Sequence, residues 1–390
     1  MKPSAAPRRR RAWTLGSLAW QVAVVAVVVG LFFAAGVNAA RNLAAAHIAS
    51  GFGFWDNVAG FDISQTLIAY SSSTSTFGRA FWVGLLNTLL VAGLALVLST
   101  LLGFTIGIAR LSRNWLVSHL AGGYVEMVRN VPLLLQLLFW YNAVLKSLPE
   151  LQDSVSWHKT IFFNNRGLFL PRPEFGENLG YVLFAFLAAL IASIVLNMWA
   201  RRRQDRTGRR FQVRWIVAAL LVVVPYLVFL AAGSPLKFSF PVVGRFNIQG
   251  GVEVLPEFAA LLFALSVYTA AFIAEVVRAG LLAVPPGQTE AAQALGLPPG
   301  TILRRIIIPQ AMRVIVPPLT SQYLNLIKNS SLAVAIGYPD LFQVFTGSVL
   351  FITGQAVEIV AVTMAVYLVI SLFTSALMSW YGHAMRIAER

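Results

Sequence analysis

The stretch Gly287-Gln288-Thr289-Glu290-Ala291-Ala292-Gln293-Ala294-Leu295-Gly296 runs on through Pro298-Pro299-Gly300 to Thr301-Ile302-Leu303-Arg304-Arg305-Ile306-Ile307-Ile308-Pro309. It is a polar interruption between two long apolar runs, and its residues predict two short helices joined by a stiff turn. The Thr289 hydroxyl can accept a backbone N–H and cap the first helix. Gly296 can end it, because glycine enters the left-handed conformation that follows a helix terminus. Ala291, Ala292, Ala294 and Gly296 give this helix small side chains over much of its surface, so a partner can approach closely. Pro298-Pro299-Gly300 breaks the chain and Thr301 can cap the second helix. Such a pair suits docking into a groove on a separate surface.

The flanking sequence sets that interruption in a membrane. A hydrocarbon core about 30 Å thick takes about 20 predominantly apolar residues per helix. Runs of this kind lie near 17–40, 80–109, 131–148, 178–199, 215–233, 255–278, 312–337 and 356–380. They predict an all-α fold, a polytopic transmembrane bundle of about eight helices. Of the 390 residues, 58% are hydrophobic and 12% charged, about half the charge of an ordinary soluble domain. The first run follows Arg8, Arg9, Arg10 and Arg11. Val37-Asn38-Ala39-Ala40 faintly resembles a signal-peptidase site, but the run exceeds a signal peptide's apolar region and is expected to be retained.

The 30 Lys and Arg against 15 Asp and Glu give a formal charge of +15. A nucleic-acid binder would gather such charge on a polar surface, whereas here it sits in short segments between apolar runs, so no nucleic-acid partner is expected. With both termini inside, about two-thirds of the basic residues fall on the cytoplasmic side. Arg201 to Arg214, with seven arginines, reads as a cytoplasmic loop. The segments 41–79 and 149–177 are then external. In the first, Gly51-Phe52-Gly53-Phe54-Trp55 is expected at the membrane interface and Ser71 to Thr76 as a loop.

Enzyme chemistry finds little to work with. There is no cysteine, and His47, His119, His158 and His383 lie far apart with no H-E-x-x-H spacing, so no metal site is expected. No Gly-Lys pair occurs, so the glycine-rich phosphate cradle G-x-x-x-x-G-K-[ST] is missing. The chain is expected neither to hydrolyse ATP nor to be an enzyme.

The quoted stretch resembles the EAA loop of ABC-importer permeases, whose pattern is E-A-A, three residues, G, nine residues, then I-x-L-P. Glu290, Ala291, Ala292, Gly296, Ile306 and Pro309 stand at those spacings, with Ile308 in place of the usual Leu. Further stretches are similar to the polar amino-acid (histidine/glutamine-type) branch: Gly84 to Leu89, Val128 to Gln136, Glu275 to Gly280, Pro309 to Arg313 and Leu326 to Leu332. The resemblance implies a type I importer-like core of five helices, here the second, third, sixth, seventh and eighth runs. The longer form with Gly51 to Trp55 resembles the Q-type membrane subunit of the general L-amino-acid permease.

That resemblance implies the following organisation. Residues 1–79 form a tail, an extra span and an external loop, and 80–148 begin the permease core. Residues 149–254 are an insertion with two extra spans. Residues 255–385 complete the core with the coupling loop at 279–311, and 386–390 are a tail. ATP would be used by separate ATPase subunits docked on the EAA loop, with no cofactor bound by this chain. A second permease subunit, homologous or identical, and an external or periplasmic amino-acid-binding protein would complete a transporter in the lipid of the bacterial inner membrane.

Polar residues inside the expected bundle need reasons of their own, because intramembrane charge is costly. Glu275 and Arg278 are spaced for an i, i+3 ion pair, and a part in passing motion into the loop after Gly280 is the other reading. The seventh run carries Pro317-Pro318 and then Thr320, Ser321, Asn325, Lys328 and Asn329, candidates for a translocation path. Thr320, Tyr323 and Ile327 follow one face, and Ser321, Asn325 and Lys328 lie close to another. Hydrogen bonding between helices would explain them equally well. The rival function is a self-contained secondary transporter or channel. It should show paired intramembrane carboxylates or matching broken helices, which the sequence lacks.

Overall fold

The computed structural model describes residues 15–45, 50–158, 160–208, 212–244 and 247–384. Arg8 to Arg11, His47, Arg209, Arg210 and the tail 386–390 lie outside the described residues. The helices are α1 Leu15–Ala45, α2 Phe77–Ala109, α3 Trp115–Asn130, α4 Leu133–Leu138, α5 Leu179–Thr207, α6 Arg214–Ala231, α7 Pro256–Leu282, α8 Pro286–Ala294, α9 Pro299–Ile302, α10 Ile308–Asn329, α11 Leu350–Thr353 and α12 Ala356–Ala384. Six of the described helices are long and apolar enough to cross a membrane: α1, α2, α5, α6, α7 and α12. Trp20, Phe184, Val222 and Phe373 remain exposed on four of them, an arrangement that hydrocarbon accepts and water does not. α7 is the most enclosed of the six.

The third and seventh expected runs take a different form. The third begins earlier, as α3, breaks at Pro132 (φ −55°, ψ 138°) and resumes as α4 with a π-helical turn over Phe139–Leu145. Proline explains the break, since it disfavours helix in the residue before it and donates no amide hydrogen. His119, Glu126 and Arg129 hide α3 from a search for apolar runs. The seventh run is α10, continued by a 3-10 helix over Ser330–Ile336, and its polar residues dilute its hydropathy.

The chain divides into two compact units, 122–271 and 1–121 with 272–390. In the first, α5 and α6 pack as a hairpin, with Ala185, Ala189 and Ser193 buried along α5. The arginine-rich stretch expected as a loop is largely helical. Arg201, Arg202, Arg203 and Arg206 lie on α5, which continues until Gly208 takes φ +70°. Arginine is a good helix former, so the helix outlasts its apolar part.

This unit also carries strands where the sequence reading saw only connecting segments: β1 Val155–Trp157, β2 Ile161–Asn164, β3 Gly167–Leu170, β4 Arg172–Phe175, β5 Leu236–Ser239, β6 Val242–Val243, β7 Ile248–Gln249 and β8 Val252–Val254. They form an antiparallel sheet in the order β1-β2-β3-β8 and the pairs β4-β5 and β6-β7. Pairing of β3 with β8 and of β4 with β5 joins the chain entering the α5–α6 hairpin to the chain leaving it. Leu151, Phe162, Phe169 and Ile248 fill a small core beneath. Strands this short carry no readable alternation.

In the second unit Thr76 caps α2 by accepting the Arg79 amide at 3.2 Å. Within the aromatic stretch expected at the membrane interface, Phe52 stays exposed while Phe54 and Trp55 pack inward. Phe54 is buried, and the Trp55 ring lies 5.2 Å from Phe81 and 5.9 Å from Phe345. Aromatic partners from α2 and the segment before α11 hold those two rings.

Candidate coupling segment and translocation face

Between α7 and α10 the chain forms the two short helices that the sequence predicts, but prolines start them rather than threonines. Pro285 precedes α8 and Pro298 precedes α9, while Thr289 and Thr301 lie inside the helical turns. A fixed φ and a missing N–H make proline a ready first helical residue. α8 stops at Ala294. Gly296 takes φ +71°, its amide donates to the Gln293 carbonyl at 2.8 Å, and the Leu297 amide donates to Ala292 at 3.2 Å. A side chain at Gly296 would meet nothing within 4 Å. Glu290, Ala291 and Gly296 are exposed and Leu295 is 79% exposed, whereas Ala292 is buried. Ala292 therefore seats α8 on the chain, helped by Gln310 Nε2 donating to Gln288 Oε1 at 3.3 Å, and most of the helix faces outward. Ile306 lies in a π turn over Leu303–Ile307, and Pro309 opens α10 directly after it. A widened turn suits a proline that brings no amide donor.

Both ends of this segment are anchored tightly. A Cβ at Gly280 would stand 2.3 Å from Ile315 Cγ1, so α7 and α10 meet without room for a side chain. A Cβ at Gly107 would stand 2.7 Å from the Ala274 carbonyl and 2.9 Å from Val277 Cβ, so α2 meets α7 as closely. Glu275 is held on both carboxylate oxygens. Arg278 Nη2 donates to Oε1 at 2.6 Å and Arg110, at the end of α2, donates to Oε2. The local Glu275–Arg278 pair was legible from its spacing. Arg110, 165 residues from Glu275, carries no sequence signal of the pairing.

α10 separates the candidate path residues. Ser321, Asn325 and Lys328 share one exposed strip, and Asn329 continues it half-buried. Tyr323 and Ile327 instead enter the core, where the Tyr323 hydroxyl is 2.8 Å from Thr100 Oγ1. The face drawn through Thr320, Tyr323 and Ile327 is therefore mostly packing surface, and Thr320 parts from it. Its hydroxyl donates to the Val316 carbonyl at 2.9 Å. Thr320 lines a groove of about 370 Å³ with Arg313 and Pro317 of α10 and Met378, Ser379 and His383 of α12. Pro317 and Pro318 sit within α10, so the carbonyls four residues before them lack helical donors.

Sequence reading missed a polar network between α2 and the residues before α11. Asn87 is fully buried, and its amide donates to the Gln65 and Pro339 carbonyls, both at 2.8 Å. The Tyr338 hydroxyl donates to the Asn87 carbonyl at 3.1 Å, and the Leu341 amide donates to Thr88 Oγ1 at 2.9 Å. Asp340 is fully buried, accepting from the Gln343 amide at 2.8 Å and the Tyr367 hydroxyl at 3.0 Å. It lies between the spans with no cation bonded to it among the described residues. Burial raises its pKa to about 6, against the lowering effect of those hydrogen bonds. The only available signal was an Asn-Thr pair inside an apolar run.

Residues 199–387 match the family described as binding-protein-dependent transport system inner membrane component. The chain is 50% identical to the general L-amino acid transport system permease protein AapQ of Rhizobium johnstonii, over 96% of this chain and 93% of that one. It is also 50% identical to the putative amino-acid ABC transporter permease protein YhdX of Escherichia coli K12, over 97% and 95%. Identity is 40% to the glutamate/glutamine/aspartate/asparagine transport system permease protein BztB of Rhodobacter capsulatus, over 94% of each chain. With half its residues shared along nearly the whole length of such relatives, the chain belongs to the inner-membrane permease family of binding-protein-dependent ABC importers and is not an enzyme.

Proposed function

We propose that this chain is the membrane-spanning subunit of an ATP-driven importer of L-amino acids in the bacterial inner membrane. α8 carries the reading. It is a short helix between two close-packed spans, seated through Ala292 and presenting Glu290, Ala291, Leu295 and Gly296 outward. The amino-acid permeases among its relatives supply the substrate class. Of the six motif residues, Glu290, Ala291, Gly296, Ile306 and Pro309 supply the contact with a separate ATPase subunit, which uses the ATP, and the buried Ala292 holds α8 in place for it. Ser321, Asn325, Lys328, Asn329 and Thr320 border the path. A homologous or identical permease pairs with this one, and an external binding protein delivers the amino acid. Transport then requires each partner to bind the two states of the bundle differently. Residues 1–79 and 149–254 are additions to a core at 80–148 and 255–385. The test is amino-acid uptake into vesicles holding the chain with its ATPase, second permease and binding protein. Uptake should need all of them and ATP, and uptake by the chain alone on an ion gradient would replace this reading with a secondary transporter.

A further inference from the structure

Glu275 and its two arginines lie where the coupling segment leaves α7. Both carboxylate oxygens are used: Arg278 of the same helix donates to Oε1 at 2.6 Å and reaches Oε2 at 3.3 Å, and Arg110 at the end of α2 donates to Oε2. Arg110 is itself tied down, since its carbonyl accepts the Ser118 hydroxyl at 2.9 Å at the start of α3. One turn before Arg110, Gly107 lets the α2 backbone reach Ala274 and Val277 without an intervening side chain. One turn beyond Glu275, Gly280 lets α7 reach Ile315 of α10. The end of α7 is thus wedged between α2 and α10, and the coupling segment is the loop that joins α7 to α10.

A push on α8 enters that wedge directly. α10 shares its core with α7 through Ile273, Val277, Ala311, Ile315 and Leu319, so those two helices move as packed neighbours. α2 has no covalent link to the coupling segment. It meets α10 through Thr100 and Tyr323 and packs Leu96 and Phe104 on the shared core, while at its end of the wedge Gly107 and the carboxylate join it to α7. The three side chains are 16%, 28% and 32% exposed, and ion pairs this open add little to stability. They still fix direction, because Arg278 spans both oxygens and orients the carboxylate while Arg110 bonds Oε2 from the other helix.

We infer that Arg110 and Glu275 are positioning residues that make α2 follow movements of the coupling segment. This rests on the importer reading above, and packed helices joined by a hydrogen-bonded ion pair are a physical route for such coupling. The experiment uses the complete transporter in vesicles and compares amino acid transported with ATP hydrolysed. Wild-type uptake reports on the importer reading, and the ratio between variants reports on this one. Arg110→Gln leaves the Glu275–Arg278 pair intact and is the variant that preserves the fold. Uptake should fall about tenfold while ATP hydrolysis falls less than about twofold. Arg110→Lys should recover part of the ratio. Glu275→Gln should resemble Arg110→Gln, and the double variant should be no worse than either alone. A wild-type ratio in Arg110→Gln would overturn the inference. So would uptake and hydrolysis falling together with the amount of assembled protein, or losses that multiply in the double variant.

Discussion

In its first half α2 holds the 338–341 segment through Asn87, Thr88 and a backbone carbonyl, all buried and uncharged, with one lone carboxylate, Asp340, enclosed nearby. At its end the same helix holds α7 through Arg110 on the partly exposed Glu275 carboxylate, which Arg278 of α7 also binds. Buried neutral hydrogen bonds have few alternatives, because breaking one strands a group without water. Exposed ion pairs exchange with water at little cost. The first arrangement suits a junction that must keep its geometry. The second suits one that must pass through several geometries while keeping two helices together.

Glycine contacts test the comparison most severely. Gly107→Leu would drive a side chain into the Ala274 carbonyl, a backbone atom that cannot step aside, and uptake should fall more than about tenfold with the chain still inserted. Gly84→Ala at the other junction would place Cβ 3.0 Å from the Leu341 Cα. There we expect a loss of about 1–3 kcal/mol in detergent melting and a smaller loss of uptake. A Gly84→Ala variant that transports less than Gly107→Leu would reverse the roles given to the two ends.

Gly296 sharpens the contrast, because nothing in the chain crowds it. Its cost to any other residue within the chain is conformational, about 1 kcal/mol for the left-handed backbone. Gly296→Asp should therefore melt almost as wild type yet lose ATPase co-purification and most uptake, whereas Gly296→Ala should lose far less. Equal melting and equal uptake in Gly296→Asp would place the coupling surface elsewhere.

At the buried junction, Asn87→Leu strips donors from the Gln65 and Pro339 carbonyls. Two stranded acceptors should lower stability by about 3 kcal/mol, measured as the urea or thermal midpoint of purified chain. The smallest effect concerns Asp340. Its folded pKa of about 6 stands above the ordinary 3.8, so the native state holds a proton that the unfolded chain has released between roughly pH 4 and 6. Stability should then fall as pH rises through that window, by at most about 2–3 kcal/mol. Asp340→Asn can keep the Gln343 bond and donate to Tyr367, and its melting should be flat from pH 4 to 7. A wild-type midpoint that rises with pH while the variant stays flat would show that the carboxylate is stabilised when charged.

Legibility in the sequence followed distance along the chain. The ends of α8 and α9, the stop at Gly296 and the Glu275–Arg278 pair are local, and proline, glycine and spacing announce them. Thr289 and Thr301 misled as caps because a neighbouring proline offered a better helix start. α5 ran past its expected end because arginine does not stop a helix. The strands between α4 and α7 escaped notice because each is too short to show a period, and pairing partners such as Phe175 and Leu236 lie far apart in the chain.

Local pattern alone places this chain in a bilayer and sets two short helices between apolar runs. Runs of apolar residues and the backbone limits of proline and glycine act within a few residues, whatever the rest of the molecule does. Which face of α10 is core, the inward turn of Trp55, and the meetings of Arg110 with Glu275 and of Asn87 with Pro339 emerge from the folded chain as a whole. Those pairs are separated by 165 and 252 residues, and nothing in a local pattern encodes which distant group will satisfy a buried polar atom. Packing selects that partner, because a polar atom removed from water must find one among the groups the fold brings within reach.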